Sequence, residues 1–127
     1  MTKSDTTNTA LRIALAYFDA MSKKDVDRLL SLAADNVTCT SPLGDLVGIQ
    51  SFRGFSEGFA KMINRLRLIA AFGDDEHAVI VYEAETLPVN SAYTAEYLVV
   101  KNDKIVSTRV IYDGIPFMEY ASKQQQH

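Results

Sequence analysis

The first half of the chain has the hydrophobic periodicity of amphipathic helices. Apolar residues recur at three- and four-residue spacing from Ala10 to Met21, which predicts a first helix capped by Thr7 or Asn8. Asp25 is a suitable N-cap for a second, shorter helix. A third helix is predicted to follow Gly48. Its apolar stripe consists of Phe52, Phe55, Phe59, Met62 and Ile63.

The second half changes to the two-residue alternation of β-strands. A first strand, Val37 to Ser41, already lies between the second and third helices and ends at a Pro-x-Gly turn. Four more strands are predicted: Arg65 to Phe72, His77 to Leu87, Ala92 to Lys101 and Ile105 to Tyr112. Short polar turns between consecutive strands indicate an antiparallel sheet, so the pattern predicts an α+β fold with helices on one face.

Length and composition limit the organisation of the chain. Its 127 residues suit a single domain, 1–127, with a frayed N-terminus at residues 1–6 and a polar tail at 121–127. A net charge of -3 without a basic patch argues against nucleic-acid binding. No apolar run is long enough to span a bilayer, so no membrane partner is expected.

The numbers of cysteines and histidines limit the cellular compartment and the metal sites that we expect. The single cysteine, Cys39, cannot form an intrachain disulfide, which favours a reducing, cytoplasmic location. Two histidines and one cysteine cannot supply the usual zinc ligand sets, so we expect no zinc site. The proton-transfer hypothesis given below also expects no metal and no organic cofactor.

One unbroken segment carries a resemblance to a known family. The run AYFDAMSKKDVDRLLSLAADNVTCTSPLG, from Ala16 to Gly44, places Tyr17 on the apolar stripe of a helix and Ser41 at the end of a strand. It resembles the opening of the nuclear transport factor 2-like superfamily, and most closely the ketosteroid isomerases within it. The resemblance implies a cone-shaped, curved antiparallel sheet that wraps around helices and encloses a pocket. The superfamily also holds SnoaL-like polyketide cyclases and non-catalytic subunits, so the fold alone does not fix a reaction.

The resemblance to ketosteroid isomerases assigns roles to individual residues. Those enzymes use an aspartate base and an oxyanion hole made of a tyrosine and a protonated aspartate. Tyr17 matches the tyrosine, and Glu96 falls where the protonated aspartate would lie. The base position is Ser41, which cannot accept the proton at neutral pH without a partner. Authentic ketosteroid isomerisation is therefore not expected.

Two glutamates are candidates for the missing base. The register implied by the resemblance turns Glu83 and Glu85 inward, where either could act with Tyr17 and Glu96 as a catalytic group. A one-residue slip would instead turn them to solvent, paired with nearby arginines. Tyr17 and Glu96 also have structural alternatives, as a buried core tyrosine and as a glutamate at the rim of the sheet.

The remaining pattern predicts a pocket wall and an interface. The pocket-lining set is Phe18, Cys39, Ser41, Phe52, Phe55, Phe59, Leu98, Thr108, Val110 and Tyr112. An apolar outer sheet face indicates a homodimer. That face is predicted to carry Ile80, Tyr82, Tyr93, Tyr97 and Val99.

Two functional hypotheses follow from these residues. The first is a small-molecule enzyme that transfers a proton on an apolar carbonyl compound without a cofactor. The alternative is a non-catalytic module that binds an apolar ligand or serves as a dimeric interaction subunit. The number of ionisable groups that face the pocket distinguishes them, because a catalyst of this kind needs at least two.

Overall fold

The computed structural model describes residues 8–125, so the predicted frayed segment 1–6 lies outside the described part. The helices are α1 (Thr9–Ser22), α2 (Val26–Ser31), α3 (Ile49–Met62) and α4 (Ile115–Gln125). The strands are β1 (Ala33–Ser41), β2 (Gly44–Val47), β3 (Ile63–Gly73), β4 (His77–Thr86), β5 (Ala92–Lys101) and β6 (Lys104–Ile111). The predicted α+β class is confirmed.

The strands form one six-stranded sheet in the order β2-β1-β6-β5-β4-β3. Neighbouring strands are antiparallel except β1 and β6, which run parallel. Register shifts between Leu68 and Ala70 and between Val99 and Val100 mark irregularities of the kind that bend strands. The curved sheet therefore has a concave face, and the helix α1 packs against it.

Two elements were not predicted from the pattern. Strand β2 is only four residues long and pairs back onto β1 across the Pro-x-Gly turn. Helix α4 extends to Gln125, so residues 121–125 of the predicted polar tail are helical. An added Cβ at Gly114 would lie 2.9 Å from Cβ of Pro42. The start of α4 thus lies directly against the β1–β2 turn.

The composition of α1 determines how close it lies to the sheet. Ala10, Ala14 and Ala20 are fully buried, and their short side chains let the helix backbone approach the concave face. Tyr17 and Met21 are the longer side chains of the same buried stripe. Tyr17 therefore projects from the helix into the space between helix and sheet.

The two faces of β4 are the reverse of the prediction. Ile80 and Tyr82 are buried on the concave face, at 0% and 1% exposure, whereas they were expected on the outer face. The alternate positions, including Glu83 and Glu85, lie on the convex outer face. Both faces of this strand carry apolar residues, so alternation alone did not fix which face is buried. The observed orientation keeps both carboxylates hydrated.

Candidate functional site

A cavity of about 360 Å³ lies between the concave face of the sheet and the helices. Its described lining comes from three regions: the α1–α2 segment, helix α3, and the sheet with α4. The α1–α2 segment contributes Tyr17, Ala20, Met21, Lys24, Asp25, Val26 and Leu29. Helix α3 and its end contribute Gly54, Phe55, Ser56, Gly58, Phe59, Ala60, Met62 and Ile63. The sheet, its turns and α4 contribute Leu43, Tyr82, Ala84, Ala92, Thr94, Glu96, Val110, Tyr112, Phe117, Tyr120 and Ala121.

One carboxyl group and three hydroxyl groups form a buried cluster at this cavity. Oε1 of Glu96 accepts hydrogen bonds from the Tyr17 hydroxyl at 2.8 Å and from the Thr108 hydroxyl at 3.1 Å. Oε2 of Glu96 accepts a hydrogen bond from the Tyr82 hydroxyl at 2.5 Å. Tyr17, Tyr82 and Glu96 line the cavity, whereas Thr108 lies behind the carboxyl group. We call these four residues the Glu96 cluster.

Burial dominates the electrostatics of the Glu96 cluster. Desolvation raises the pKa of Glu96 above its ordinary value, although the hydroxyls of Tyr82, Tyr17 and Thr108 act in the opposite direction. Burial, followed by the charge of Glu96, raises the pKa of Tyr17 and Tyr82 well above the usual range. The two phenols therefore stay protonated, and the carboxyl group is held toward its neutral form.

The rim of the cavity has a different character from the Glu96 cluster. Lys24 and Asp25 lie in the exposed turn between α1 and α2, with Lys24 in a left-handed conformation at φ 61°. The carboxylate of Asp25 caps α2, because its Oδ1 accepts a hydrogen bond from the backbone N–H of Arg28 at 3.1 Å. The cavity thus has a buried carboxyl, largely apolar walls and a charged rim.

The structure places the sequence-predicted residues in three groups. Tyr17 and Glu96 meet at the cavity, and the wall includes Phe55, Phe59, Val110 and Tyr112. Other predicted wall residues lie outside the lining. Cys39, Phe52 and Leu98 are core residues, and Phe18 packs on the ring of Tyr82. The Thr108 hydroxyl donates a hydrogen bond to Glu96. The Ser41 hydroxyl donates one to the Gly44 carbonyl in the β1–β2 turn. Burial raises the pKa of Cys39 to about 12, so its thiol stays neutral.

The inward orientation expected for Glu83 and Glu85 was wrong. The Glu83 carboxylate accepts a hydrogen bond from Ser91 and forms an ion pair with Arg67 at 2.7 Å, and both contacts hold its pKa below the ordinary value. Glu83 and Glu85 line a separate polar depression on the outer face, together with Arg65, Arg67 and Asn90. Neither can act as a base in the cavity.

Some cavity residues were not predicted because the strand face or the helix that carries them was not predicted; Tyr82, Phe117 and Tyr120 are the largest of them. Tyr82 was assigned to the outer face by the wrong parity of β4. Phe117 and Tyr120 lie on the unpredicted helix α4. A signal for this helix is present in the sequence. Asp113 accepts a hydrogen bond from the backbone N–H of Ile115, and Pro116 follows in the first turn.

Clusters of metal ligands and membrane-spanning helices are both absent from residues 8–125. No group of three or more His, Cys, Asp or Glu side chains in this part of the chain is placed to hold a metal ion. None of the helices in the same part of the chain is both long enough and apolar enough to cross a bilayer.

Known proteins share this architecture. The sequence pattern of the SnoaL-like domain family matches residues 14–108. The structure is similar to a crystal structure of a protein from Kribbella flavida DSM 17836, with 33% identity, a TM-score of 0.84, and 92% of this chain and 97% of that chain covered. No curated protein matches the chain.

Two further crystal structures show the same fold at lower identity. One is a Kribbella flavida DSM 17836 protein provisionally named a ketosteroid isomerase, with 16% identity, a TM-score of 0.73, and 82% of this chain and 77% of that chain covered. The other is a Sinorhizobium meliloti protein provisionally named a polyketide cyclase, with 17% identity and a TM-score of 0.71. The match covers 79% of this chain and 94% of that chain.

Proposed function

The chain belongs to the SnoaL-like domain family, and on that premise we propose that its cavity binds an apolar carbonyl compound and promotes cofactor-free proton transfer on it. The observation that carries this proposal is the Glu96 cluster beside an apolar cavity. It consists of a carboxyl group with a raised pKa and three hydroxyl groups hydrogen-bonded to it. Such sites bind small molecules through a few oriented polar groups among apolar walls.

The number of protons in the Glu96 cluster favours a ligand that accepts a hydrogen bond. When Glu96 is neutral, the cluster has four O–H protons for three internal contacts, so one proton is left for a ligand. When Glu96 is ionised, three protons serve three contacts and none is left. Because burial favours the neutral form, the carbonyl oxygen of a ligand is the group that the cluster suits.

A hydrogen bond to a carbonyl oxygen lowers the barrier to losing a proton from the adjacent carbon. It stabilises the negative charge that develops on the oxygen as the carbon–hydrogen bond breaks. The leaving proton needs a base within reach. Asp25 is the carboxylate at the cavity rim, and we assign it this role in the catalytic form of the proposal.

A non-catalytic binding module is the second candidate. The observation that favours it is the outward position of Glu83 and Glu85. Their absence from the cavity leaves Glu96 as the single buried carboxyl among the described lining residues. The same pocket would then hold an apolar carbonyl ligand without turning it over.

We also propose that two copies of the chain associate through the convex face of the sheet. Phe72, Tyr93 and Ile111 are more than half exposed there, and Tyr97 is 40% exposed. The face also carries arginines and glutamates, so a second copy can match both its apolar and its charged parts. This is the outer face predicted from the sequence without Ile80 and Tyr82, which lie on the concave face; Tyr93, Tyr97 and Val99 remain on it.

The proposed function is tested with 1-tetralone, a bicyclic ketone, in deuterated buffer. Calorimetric titration measures binding, and proton NMR measures exchange of the hydrogens next to the carbonyl. Binding with exchange faster than in protein-free buffer supports the enzyme, whereas binding without acceleration supports the binding module. Failure to bind would contradict both.

A further inference from the structure

Tyr82, which the family resemblance does not single out, occupies a distinctive position in the Glu96 cluster. Tyr17 and Thr108 both donate to Oε1 of Glu96, whereas Tyr82 alone among the described residues donates to Oε2. The two carboxyl oxygens are therefore not equivalent. Their difference determines where the proton of a neutral Glu96 resides.

The carboxyl proton belongs on Oε2. A carboxyl oxygen has two lone pairs, and both of those on Oε1 are used by the hydroxyls of Tyr17 and Thr108. A proton on Oε1 would displace one of these hydrogen bonds inside a buried site, where an unpaired polar group is costly. Oε2 has one accepted contact and keeps a free position.

A proton on Oε2 reverses the hydrogen bond to Tyr82. A carboxylic acid O–H is a stronger donor than a phenol, and its hydroxyl oxygen is a weak acceptor. The acid therefore donates to the Tyr82 oxygen, which lies 2.5 Å away. The Tyr82 hydroxyl proton is then released from Glu96, and hydrogen bonds in such a chain strengthen one another.

Few alternative acceptors compete for the Tyr82 proton. Among the described residues, the one other hydrogen-bond acceptor for the Tyr82 hydroxyl is Sδ of Met21 at 3.8 Å, and a thioether sulfur is a weak acceptor. The ring is held by the neighbouring ring of Phe18, with centroids 5.4 Å apart. Tyr82 lines the cavity, so a ligand oxygen is the remaining acceptor of ordinary strength.

We propose that Tyr82, rather than Tyr17, donates the hydrogen bond to the ligand's carbonyl oxygen, with Glu96 donating in turn to Tyr82. Tyr17 and Thr108 then act as positioning residues that occupy Oε1. This inference rests on the proposed function, because it requires a carbonyl ligand in the cavity. It differs from the role that the isomerase resemblance gives to Tyr17.

The test uses 1-tetralone labelled with carbon-13 at the carbonyl, whose infrared stretch falls in frequency when the oxygen accepts a hydrogen bond. The matched variants are Tyr82→Phe and Tyr17→Phe, with Tyr93→Phe on the outer face as the control for removing a phenol hydroxyl. We expect Tyr82→Phe to abolish the frequency shift and to weaken binding about tenfold. Tyr17→Phe should keep most of the shift, because Tyr82 retains its hydroxyl and Thr108 still occupies one lone pair of Oε1, and should weaken binding less than about threefold.

The reverse pattern, with the shift lost in Tyr17→Phe and kept in Tyr82→Phe, would overturn the inference while leaving the proposed function intact. Absence of 1-tetralone binding to the unmutated protein would overturn both. If Tyr82→Phe does not fold, a crystal structure of the unmutated protein with 1-tetralone decides the question. The inference requires the ketone oxygen within hydrogen-bond distance of Tyr82, and contact with Tyr17 instead would reject it.

Discussion

Tyr82 and Glu96 are diagonal neighbours on the concave face of the sheet, and their side chains meet at 2.5 Å beside the cavity. Tyr82 is paired across the ladder with Thr94, and Glu96 with Ile80, so two adjacent strands fix the separation of the hydroxyl and the carboxyl. The hydroxyl of Tyr17 reaches the same carboxyl from helix α1. A rigid scaffold thus holds a donor array before any ligand arrives, which limits the entropic cost of binding.

The affinity for 1-tetralone should depend on the protonation of Glu96. Its pKa is raised by burial, so the neutral, donating form persists above the ordinary range of a glutamate. We expect affinity to be highest below the raised pKa and to fall as the pH passes through it. Titrations from about pH 5 to about pH 9 measure this dependence. Glu96→Gln carries an amide donor at every pH, so its profile should be flat, and a flat profile for the unmutated protein would contradict the assignment.

The same raised pKa predicts a pH-dependent cost in stability. Below the ordinary pKa of a glutamate, Glu96 is protonated in both the folded and the unfolded chain. Between that value and the raised one, only the unfolded chain releases the proton, so rising pH favours unfolding. The free energy of unfolding should fall relative to Glu96→Gln by about 1.4 kcal/mol for each unit of the pKa shift. Urea unfolding of both proteins at several pH values measures it, and a constant difference would be evidence of an unshifted carboxyl.

Asp25→Asn separates catalysis from binding. Asparagine is as good an N-cap as aspartate, so α2 should remain stable, but the amide cannot accept a proton. If Asp25 is the base, hydrogen exchange of 1-tetralone should slow by about a hundredfold or more, with affinity nearly unchanged. The exchange rate and the dissociation constant are measured on the same samples. Unaltered exchange in a correctly folded variant would remove Asp25 from the chemistry.

Tyr97→Lys should disrupt the proposed dimer without affecting the cavity. Tyr97 lies on the convex face, where it stacks on His77 with ring centroids 6.1 Å apart, whereas the cavity is on the other side of the sheet. A lysine in place of this tyrosine would put a charge among the apolar residues of the proposed interface, which opposes association. Sedimentation velocity at micromolar concentration measures the change from dimer to monomer. Leu15→Lys, at an equally exposed position on α1, is the control, and a monomeric unmutated protein would reject the proposal.

Much of the fold was predictable because its elements have strong local signals. Helix α1 is predicted by its stripe of alanines and Tyr17 at helical spacing. The hairpin between β5 and β6 is predicted by the Asn102–Asp103 pair. The two turn residues adopt φ values of 52° and 63°, the left-handed conformation that tight hairpin turns need and that asparagine and aspartate tolerate. By contrast, β2 is too short to show a period, and the apolar residues of α4 do not mark one buried face, because Ile115 and Met118 are exposed whereas Phe117 is buried.

The candidate site was predictable only in part, for a physical reason. Tyr17 and Glu96 are 79 positions apart, and the family resemblance supplied the pairing that local patterns do not contain. Tyr82 was missed because Val79 to Tyr82 is apolar at every position, so the strand could face either way by pattern alone. The face of β4 that carries Tyr82 packs against α1, which is a long-range contact. Glu83 and Glu85 lie on the opposite face and are therefore outside the cavity.

The most direct measurement is the infrared carbonyl frequency of carbon-13 1-tetralone bound to the unmutated protein below the raised pKa of Glu96. A hydrogen bond from the Glu96 cluster predicts a frequency lower than that of the same ketone in hexane, and the shift should disappear once the pH is high enough to ionise Glu96. A bound ketone with the hexane frequency at low pH would show that the cluster donates nothing to the ligand. That result would contradict the central claim that these residues recognise a carbonyl oxygen.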